Sequence, residues 1–186
     1  MIRRSPLDGV ALIDGIREVP SLAQLDVRLN PADDEARETV ESVVGSLPIE
    51  PNTVRGGAEA AVLWLGPDEW LIVGPPDGEA ALQSQLHDAL GDHVGRVAIV
   101  DVSANRTTLE LRGPRARELL EFGCPIDLHP RGFGPGRCAQ TLLARANVLI
   151  WFVTDEPEPV YRLLVRPSFA TYVAAWLVDA ADGLID

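Results

Sequence analysis

The fold is decided by residues 101–141, which read DVSANRTTLELRGPRARELLEFGCPIDLHPRGFGPGRCAQT. Residues 97–103 predict a buried strand, and after a short turn the alternating segment 107–112 predicts the strand that pairs with it. Gly113-Pro114 indicates the start of a helix, because proline at the first helical position loses no useful hydrogen bond, and Gly123 indicates its end. Because the stretch supplies no recognisable set of catalytic groups, it favours a subunit or a binding module over a self-sufficient enzyme.

Strands and amphipathic helices also alternate on both sides of this stretch. Before it, the spacing of apolar residues predicts a strand at 22–29, a helix at 32–44, a hairpin at 60–74 and a helix at 79–90. After it come strands near 138–144, 148–153 and 161–165, of which the middle one is apolar throughout, as in a central strand covered on both faces. A last helix begins at Arg166-Pro167, and we expect one of its faces to lie on the sheet: Phe169, Val173, Trp176, Leu177 and Ala180.

Each half of the chain thus combines strands with two amphipathic helices. This is the pattern of an α+β fold in which a split βαβ unit is used twice, as a structural pseudo-repeat. We expect a single domain over residues 1–186, with halves at about 20–92 and 95–182 and an N-terminal arm at 1–16.

The composition excludes several classes of function. A net charge of −12 and a pI near 4.6 argue against nucleic acid as a partner, since that binding draws its affinity from clustered basic residues. The 16 basic residues are all arginines, which excludes a Schiff-base lysine and a phosphate-loop lysine. No apolar run has the length of a membrane helix or a signal peptide, so we expect a cytoplasmic protein with no membrane partner.

Cys124, Cys138 and His129 are the candidates for metal binding or nucleophilic catalysis. They fall short of the four ligands of a tetrahedral metal site. A pair of Cys124 and His129 across a proline-bearing loop has no third group to orient it. We expect both thiols to be buried as small apolar residues, and a disulfide or a redox role remain alternatives.

Six residues are instead candidates for a subunit interface. Asp68, Glu69 and Trp70 lie at the hairpin turn, and an aromatic residue leaving a turn is suited to contact a partner. Asp127 and His129 flank prolines and either hold the loop backbone or meet a partner, while Phe133 is either a core anchor or an exposed knob. The glycine-rich segment 132–136 has the glycine count of a phosphate loop but not its strand-to-helix context, which favours a structural loop.

The four tryptophans raise the question of a stacking site for a pteridine or flavin ring. Trp64, Trp151 and Trp176 lie on apolar faces of the predicted strands and helix, which favours core burial. We identify no catalytic, cofactor-binding or metal-binding residue in the sequence.

Four segments carry a resemblance to a known family: LGPDEWLIVG (65–74), VDVSANRTTLELRGPRARELL (100–120), GCPIDLHPRGFGPGRCAQTLL (123–143) and RPSFATYVAAWL (166–177). Over about residues 17–182 the chain resembles the gamma subunits of heterotetrameric sarcosine oxidases. The wider resemblance is to the folate-dependent aminomethyltransferase of the glycine cleavage system. That family carries Gly-Gly-Val-Leu/Ile-Asp-Asp in one strand, whereas this sequence reads Ala146-Asn147-Val148-Leu149-Ile150-Trp151. The two acids that would handle protons in amine transfer to folate are therefore replaced by apolar residues.

The resemblance implies a folate-binding aminomethyltransferase-like domain and a flavin-dependent complex that oxidises sarcosine to glycine. It further implies that hydrogen peroxide is formed and that the one-carbon unit passes to tetrahydrofolate. On this basis the partners are alpha, beta and delta subunits, which would hold FAD, FMN, NAD, zinc and tetrahydrofolate. This chain would bind no cofactor and would support assembly without an active site of its own.

Two other functions remain open at the level of sequence. The chain could be a stand-alone folate-binding protein of the aminomethyltransferase type that has moved its catalytic group. It could also be a free-standing acidic adaptor unrelated to amine oxidation.

Overall fold

The structure is a computed structural model that describes residues 4–19 and 21–183. Within these residues the chain divides into two compact units. The inserted unit is Ser21–Ala104, and the flanking unit combines the described residues before it with those from Asn105 onward. The flanking unit begins with strand β1 (Ile16–Val19).

The inserted unit contains five strands and two α-helices among its described residues. They are β2 (Leu22–Leu29), α1 (Asp34–Val44), β3 (Val54–Gly56), β4 (Ala61–Gly66), β5 (Glu69–Pro76), α2 (Glu79–Leu90) and β6 (Val97–Asp101). Its antiparallel sheet has the order β3-β4-β5-β2-β6. Apart from the edge strand β3, this is a βαββαβ unit whose first and third strands lie side by side, as in the ferredoxin-like split βαβ fold.

The flanking unit repeats this arrangement in permuted form. Its further elements are β7 (Thr107–Arg112), α3 (Ala116–Glu121), β8 (Arg137–Leu143), β9 (Ala146–Thr154), β10 (Val160–Val165) and α4 (Pro167–Asp182). The sheet order is β1-β7-β10-β9-β8, and all neighbours are antiparallel. The strand that would follow α4 in a split βαβ unit is thus supplied from the N-terminal end of the chain, by β1.

Each unit has a core of its own. In the inserted unit α1 and α2 cover one sheet face, with Val40, Leu86 and Trp70 among the buried residues. In the flanking unit α3 and α4 cover the face that carries Ile150 and Tyr161. Burying these apolar side chains is the main source of stability of both units.

The predicted α+β fold with a split βαβ unit used twice is confirmed, but one strand pairing is wrong. β6 and β7 do not pair, because β6 joins β2 in the inserted unit while β7 lies between β1 and β10 in the other sheet. The short 3₁₀ turn Ser103–Asn105 separates them. β6 is also not a buried strand. It is an edge strand whose residues Ala98, Val100 and Asp101 are exposed.

The boundaries of the units also differ from the expected halves. β6 belongs with β2, so the division falls near residue 105 rather than between 92 and 95. Part of the expected N-terminal arm packs with the other end of the chain, since Leu7 and Ile16 belong to the core of the flanking unit. The expectation of one domain over 1–186 stays a prediction. No helix within the described residues combines the length and apolar character needed to span a membrane.

Candidate functional site

The strand β9 carries Ile150 and Trp151, the two residues that the resemblance described above compares with the acids of the aminomethyltransferase pattern. Ile150 is completely buried and belongs to the core beneath α3 and α4. Trp151 points to the opposite sheet face, because side chains alternate along a strand, and is only 1% exposed. Both side chains are shielded from solvent, and neither can accept or donate a proton in place of a carboxylate.

Next to Trp151 lies a buried ion cluster that the sequence analysis did not find. Glu110 of β7 is 2% exposed and accepts hydrogen bonds from Arg17 Nε (2.8 Å) and from Arg162 Nε (3.1 Å). Arg162 is 6% exposed, and its guanidinium lies 5.3 Å from the centre of the Trp151 ring, within cation–π range. The register places all of these residues on one sheet face, since Glu110 faces Arg17 and Arg162, and Arg162 faces Trp151.

Arg17 and Arg162 keep the carboxylate of Glu110 in its ionised form. Burial acts to raise the pKa of Glu110, but the hydrogen bonds from Arg17 and Arg162 outweigh it and keep the pKa below its ordinary value. Glu110 is therefore ionised at neutral pH and cannot act as a general base of raised pKa. Two features of the sequence could have indicated this cluster: the acid Glu110 within the apolar strand TTLELR and the basic residue Arg162 within the apolar strand VYRLLV.

The predicted interface residues Asp68, Glu69 and Trp70 lie together at the β4–β5 hairpin. Asp68 is exposed, and its carbonyl accepts a hydrogen bond from Leu29 N–H. Glu69 pairs with Arg28, and its pKa is raised by burial and by the neighbouring acid Asp26. Trp70 is the exception, because it is 1% exposed and its indole Nε1 donates to the carbonyl of Pro48. Its ring is a core residue and does not lie on the surface, contrary to expectation.

The other three candidates lie in the loop between α3 and β8. Asp127 is exposed, and its carboxylate accepts from the backbone N–H of His129 (2.8 Å). His129 is exposed, and its Nδ1 accepts from the N–H of Arg131 (3.2 Å). Phe133 is 5% exposed and belongs to the core, so it is the anchor rather than the knob of the two alternatives. The candidates thus fall into two groups, one in each unit.

The two thiols are free and buried, as expected. Burial raises the pKa of the Cys124 thiol, with smaller opposing contributions from hydrogen bonds to Ile126 and Thr141. A protonated thiol is a poor nucleophile at neutral pH. Nδ1 of His129 accepts a hydrogen bond from the loop backbone, and the groups that interact with the Cys124 thiol are Ile126 and Thr141. No group of three or more His, Cys, Asp or Glu side chains that could hold a metal ion is found within residues 4–19 and 21–183.

A cavity of about 540 Å³ opens beside β1 and the start of α3. Its charged lining consists of three arginines and two acids, and the arginines pair with carboxylates: Arg17 with Glu110, Arg112 with Glu158 and Arg115 with Glu118. The cavity therefore offers no cluster of unpaired groups for catalysis.

Comparison with known proteins places the chain in a family. The family model described as "Sarcosine oxidase, gamma subunit family" matches residues 29–183. The chain belongs to the sarcosine oxidase gamma subunit family. It is 39% identical to the sarcosine oxidase subunit gamma of Corynebacterium sp. (strain P-1), an alignment that covers 96% of this chain and 90% of that protein. The resemblance inferred from the four sequence segments is thereby confirmed.

Two solved structures are similar to this sarcosine oxidase gamma subunit, the first in sequence and fold and the second in fold. A chain of the heterotetrameric sarcosine oxidase from Corynebacterium sp. U-96, in complex with pyrrole 2-carboxylate, superposes with a TM-score of 0.87 at 36% identity, covering 99% of this chain and 97% of that chain. The glycine cleavage system aminomethyltransferase T from Bartonella henselae superposes with a TM-score of 0.63 at 13% identity, over 88% of this chain and 45% of that one. The second match shows a shared fold and confirms the predicted aminomethyltransferase-like architecture.

Proposed function

We propose that this gamma subunit is a structural component of a heterotetrameric sarcosine oxidase and has no reaction centre of its own. Its partners in this proposal are alpha, beta and delta subunits. The complex oxidises sarcosine to glycine, forms hydrogen peroxide and transfers the one-carbon unit to tetrahydrofolate. The cofactors FAD, FMN, NAD, zinc and tetrahydrofolate are held by the partner subunits.

One observation carries the proposal. Ile150 and Trp151 occupy the two positions where the aminomethyltransferase pattern has adjacent acids, and both are buried, at 0% and 1% exposure. An isolated carboxylate at either position would be expensive to desolvate, so the fold here favours apolar packing over proton transfer. Glu110, the nearest buried acid described above, is occupied by two arginines.

The exposed members of the predicted interface set remain part of this proposal. Asp68, Asp127 and His129 lie on the surface, at a hairpin that a backbone hydrogen bond joins to Leu29 and in a loop with local hydrogen bonds of its own. Preorganised polar loops lose little entropy on association, which suits them to subunit contacts. Trp70 and Phe133 pack in the cores beneath the hairpin and the loop, and Glu69 stabilises the hairpin through its ion pair with Arg28.

The test is to express the four oxidase subunits together, with and without this chain. Without it, we expect the flavin-containing complex to be recovered in much lower yield or with lower thermal stability, measured by size-exclusion chromatography with flavin absorbance. Adding the separately purified chain should restore the complex. Full yield, stability and activity in its absence would contradict a structural role.

The isolated chain provides the second half of the test. We expect no hydrogen peroxide from sarcosine and no one-carbon transfer to tetrahydrofolate. Tight stoichiometric binding of tetrahydrofolate together with turnover would establish the stand-alone transferase function instead. Co-purification with proteins that lack flavin absorbance would favour the acidic adaptor.

A further inference from the structure

α4 has an exposed face that carries no charge. Residues 167–178 contain no Asp, Glu, Arg, Lys or His, although 24% of the chain is charged. The exposed positions of this segment are Pro167, Ser168, Phe169, Thr171, Tyr172 and Ala175. Exposed aromatic residues on a surface depleted of charge are typical of the centre of a protein interface, not of a solvated helix face.

The aromatic residues of this face form a continuous stripe. Phe169 and Tyr172 are 40% and 39% exposed, and the half-buried Trp176 follows at the spacing that places all three on one side of a helix. The exposure of Phe169 differs from the sequence-based expectation that it would lie on the sheet. Trp176 fixes the far end of the stripe, because its ring lies against the backbone of Gly123.

The stripe continues into a groove beside the sheet edge. Phe169 lines this groove of about 740 Å³ together with Leu142, Pro125 and parts of β8 and β9. Leu142 belongs to the edge strand β8 and is 42% exposed. The stripe of Phe169, Tyr172 and Trp176, together with this groove, is what we call the α4 patch. Phe169, Tyr172 and Leu142 are three of the seven large hydrophobic residues exposed among the described residues.

Two arginines lie at opposite ends of the α4 patch. Arg166 immediately precedes the helix and lines the groove. Arg145 follows Ala144, whose N–H donates to the carbonyl of Gly123 and which therefore lies at the Trp176 end of the stripe. Neither guanidinium forms an ion pair or hydrogen bond with a residue that the structure describes, and the groove lining contains no acid.

We propose that the α4 patch binds another subunit of the oxidase through an apolar pocket for Phe169 and Tyr172, flanked by carboxylates opposite Arg145 and Arg166. This assignment rests on the proposed function. A chain with a net charge of −12 repels an acidic partner surface over most of its own surface. Arg145 and Arg166, which form no ion pair with a described residue, can instead attract carboxylates of the partner at the two ends of the patch. A second copy of this chain fits less well, because a twofold contact would bring a second set of the same arginines to the interface.

The experiment uses the four subunits expressed together, with an affinity tag on this chain. Replacing the aromatic pair, Phe169→Ser with Tyr172→Ser, should lower the amount of partner subunits recovered per tagged chain by about 10-fold or more, as expected for interface hot spots. The matched control is Ile49→Ser with Val94→Ser. These residues are also exposed, at 79% and 42%, but belong to the inserted unit, and their replacement should leave recovery unchanged.

A second pair of variants tests the charges. Arg145→Glu with Arg166→Glu should reduce recovery in the same direction, because it places acids opposite the partner's carboxylates. The control is Arg55→Glu in β3, an exposed arginine of the inserted unit. The isolated Phe169, Tyr172 and arginine variants should keep the circular dichroism spectrum of the unmodified chain and remain folded at the assay temperature, since none of these side chains is fully buried.

Recovery at the unmodified level with folded aromatic and arginine variants would overturn the assignment of the patch. So would a dimer of the isolated chain, seen by analytical ultracentrifugation, that Phe169→Ser with Tyr172→Ser converts to monomer, because the occupant would then be a second copy. A different result is that the unmodified tagged chain recovers no oxidase subunit at all. That result would contradict the proposed function itself rather than the choice of surface.

Discussion

At the scale of single residues, the charge of Glu110 is the most consequential feature of the flanking unit. Its carboxylate accepts hydrogen bonds from both Arg17 and Arg162, and Arg162 is only 6% exposed. We expect Glu110→Gln to lower the free energy of unfolding by about 3 kcal/mol, because it removes the negative charge that faces the buried guanidinium of Arg162. Urea denaturation measures this. The control is Glu118→Gln, whose pair with Arg115 is exposed and should contribute less than about 1 kcal/mol.

The same residue predicts a pH dependence. Because the pKa of Glu110 is lower in the folded chain than its ordinary value of 4.5, the unfolded chain binds more protons as the pH falls below that value. The stabilising contribution of Glu110 is thus fully present above pH 4.5 and is lost as the pH falls through the folded pKa. The difference in unfolding free energy between the unmodified chain and Glu110→Gln should be constant from pH 7 to 5 and shrink below 4.5. A difference that grows on acidification would show that Glu110 is destabilising when ionised.

Gly123 is a residue whose missing side chain is required. A Cβ there would lie 2.6 Å from Cζ2 of Trp176 and 3.1 Å from the backbone nitrogen of Ala144, so either α4 or the β8–β9 turn would have to move. We expect Gly123→Ala to destabilise the chain by about 1–3 kcal/mol through overpacking. Thermal denaturation of Gly95→Ala, where a Cβ meets no atom within 4 Å, provides the control. Equal Tm values for the two variants would contradict the tight contact with Trp176.

At the scale of secondary-structure elements, α1 shows how one side chain serves two purposes. Asp33 accepts a hydrogen bond from the N–H of Ala36 as the N-cap, and it also pairs with Arg96 beyond α2. The hydrogen bond from Arg96 is the main reason that the pKa of Asp33 lies below its ordinary value. Asp33→Asn keeps a capping group and loses the charge, whereas Asp33→Ala loses both. We therefore expect the Tm to fall in both variants and further in Asp33→Ala. Equal losses would show that the ion pair alone matters.

Some elements could be predicted from the sequence closely. The alternation of LAQLDVRL and the apolar spacing of EAALQSQLHDAL predicted a strand and a helix at the positions where β2 and α2 are found. Such a pattern indicates which side of an element is buried, and it can be seen from the residues of that element alone. Strand partners are not recorded in this way, which is why β6 and β7 were wrongly paired. β6 and β7 are consecutive in the sequence, and this suggested that they pair although they belong to different sheets.

The residues of the candidate site were harder to predict for a related reason. The acid in TTLELR alternates with apolar residues, and this pattern predicted a strand but gave no role for Glu110. In the structure both sides of β7 are buried, and Glu110 is kept inside by arginines from β1 and β10, which lie far away in the sequence. The sequence left open whether Trp70 and Phe133 are buried, because a turn or a glycine-rich loop indicates exposure of the backbone but not the direction of an aromatic side chain.

At the scale of the whole molecule, the acidic balance should affect stability as well as association. With 28 acids, 16 arginines and a net charge of −12, repulsion acts across the folded surface at pH 7. Raising NaCl from about 20 to 300 mM shortens the screening length from roughly 20 Å to roughly 6 Å. We expect the Tm of the isolated chain to rise by at least about 2 °C, or roughly 0.5–1 kcal/mol for a chain of this length.

The control for this salt effect is the same pair of salt concentrations at pH 5, close to the pI of about 4.6, where the net charge is small. There the gain in Tm should be at most about half as large, since less repulsion remains to be screened. Differential scanning calorimetry at both pH values separates this effect from any general action of salt on apolar burial. A Tm that falls with salt at pH 7 would mean that surface pairs such as Arg28 with Glu69 outweigh the repulsion. The stability of the chain would then depend on where its charges lie and not on their sum.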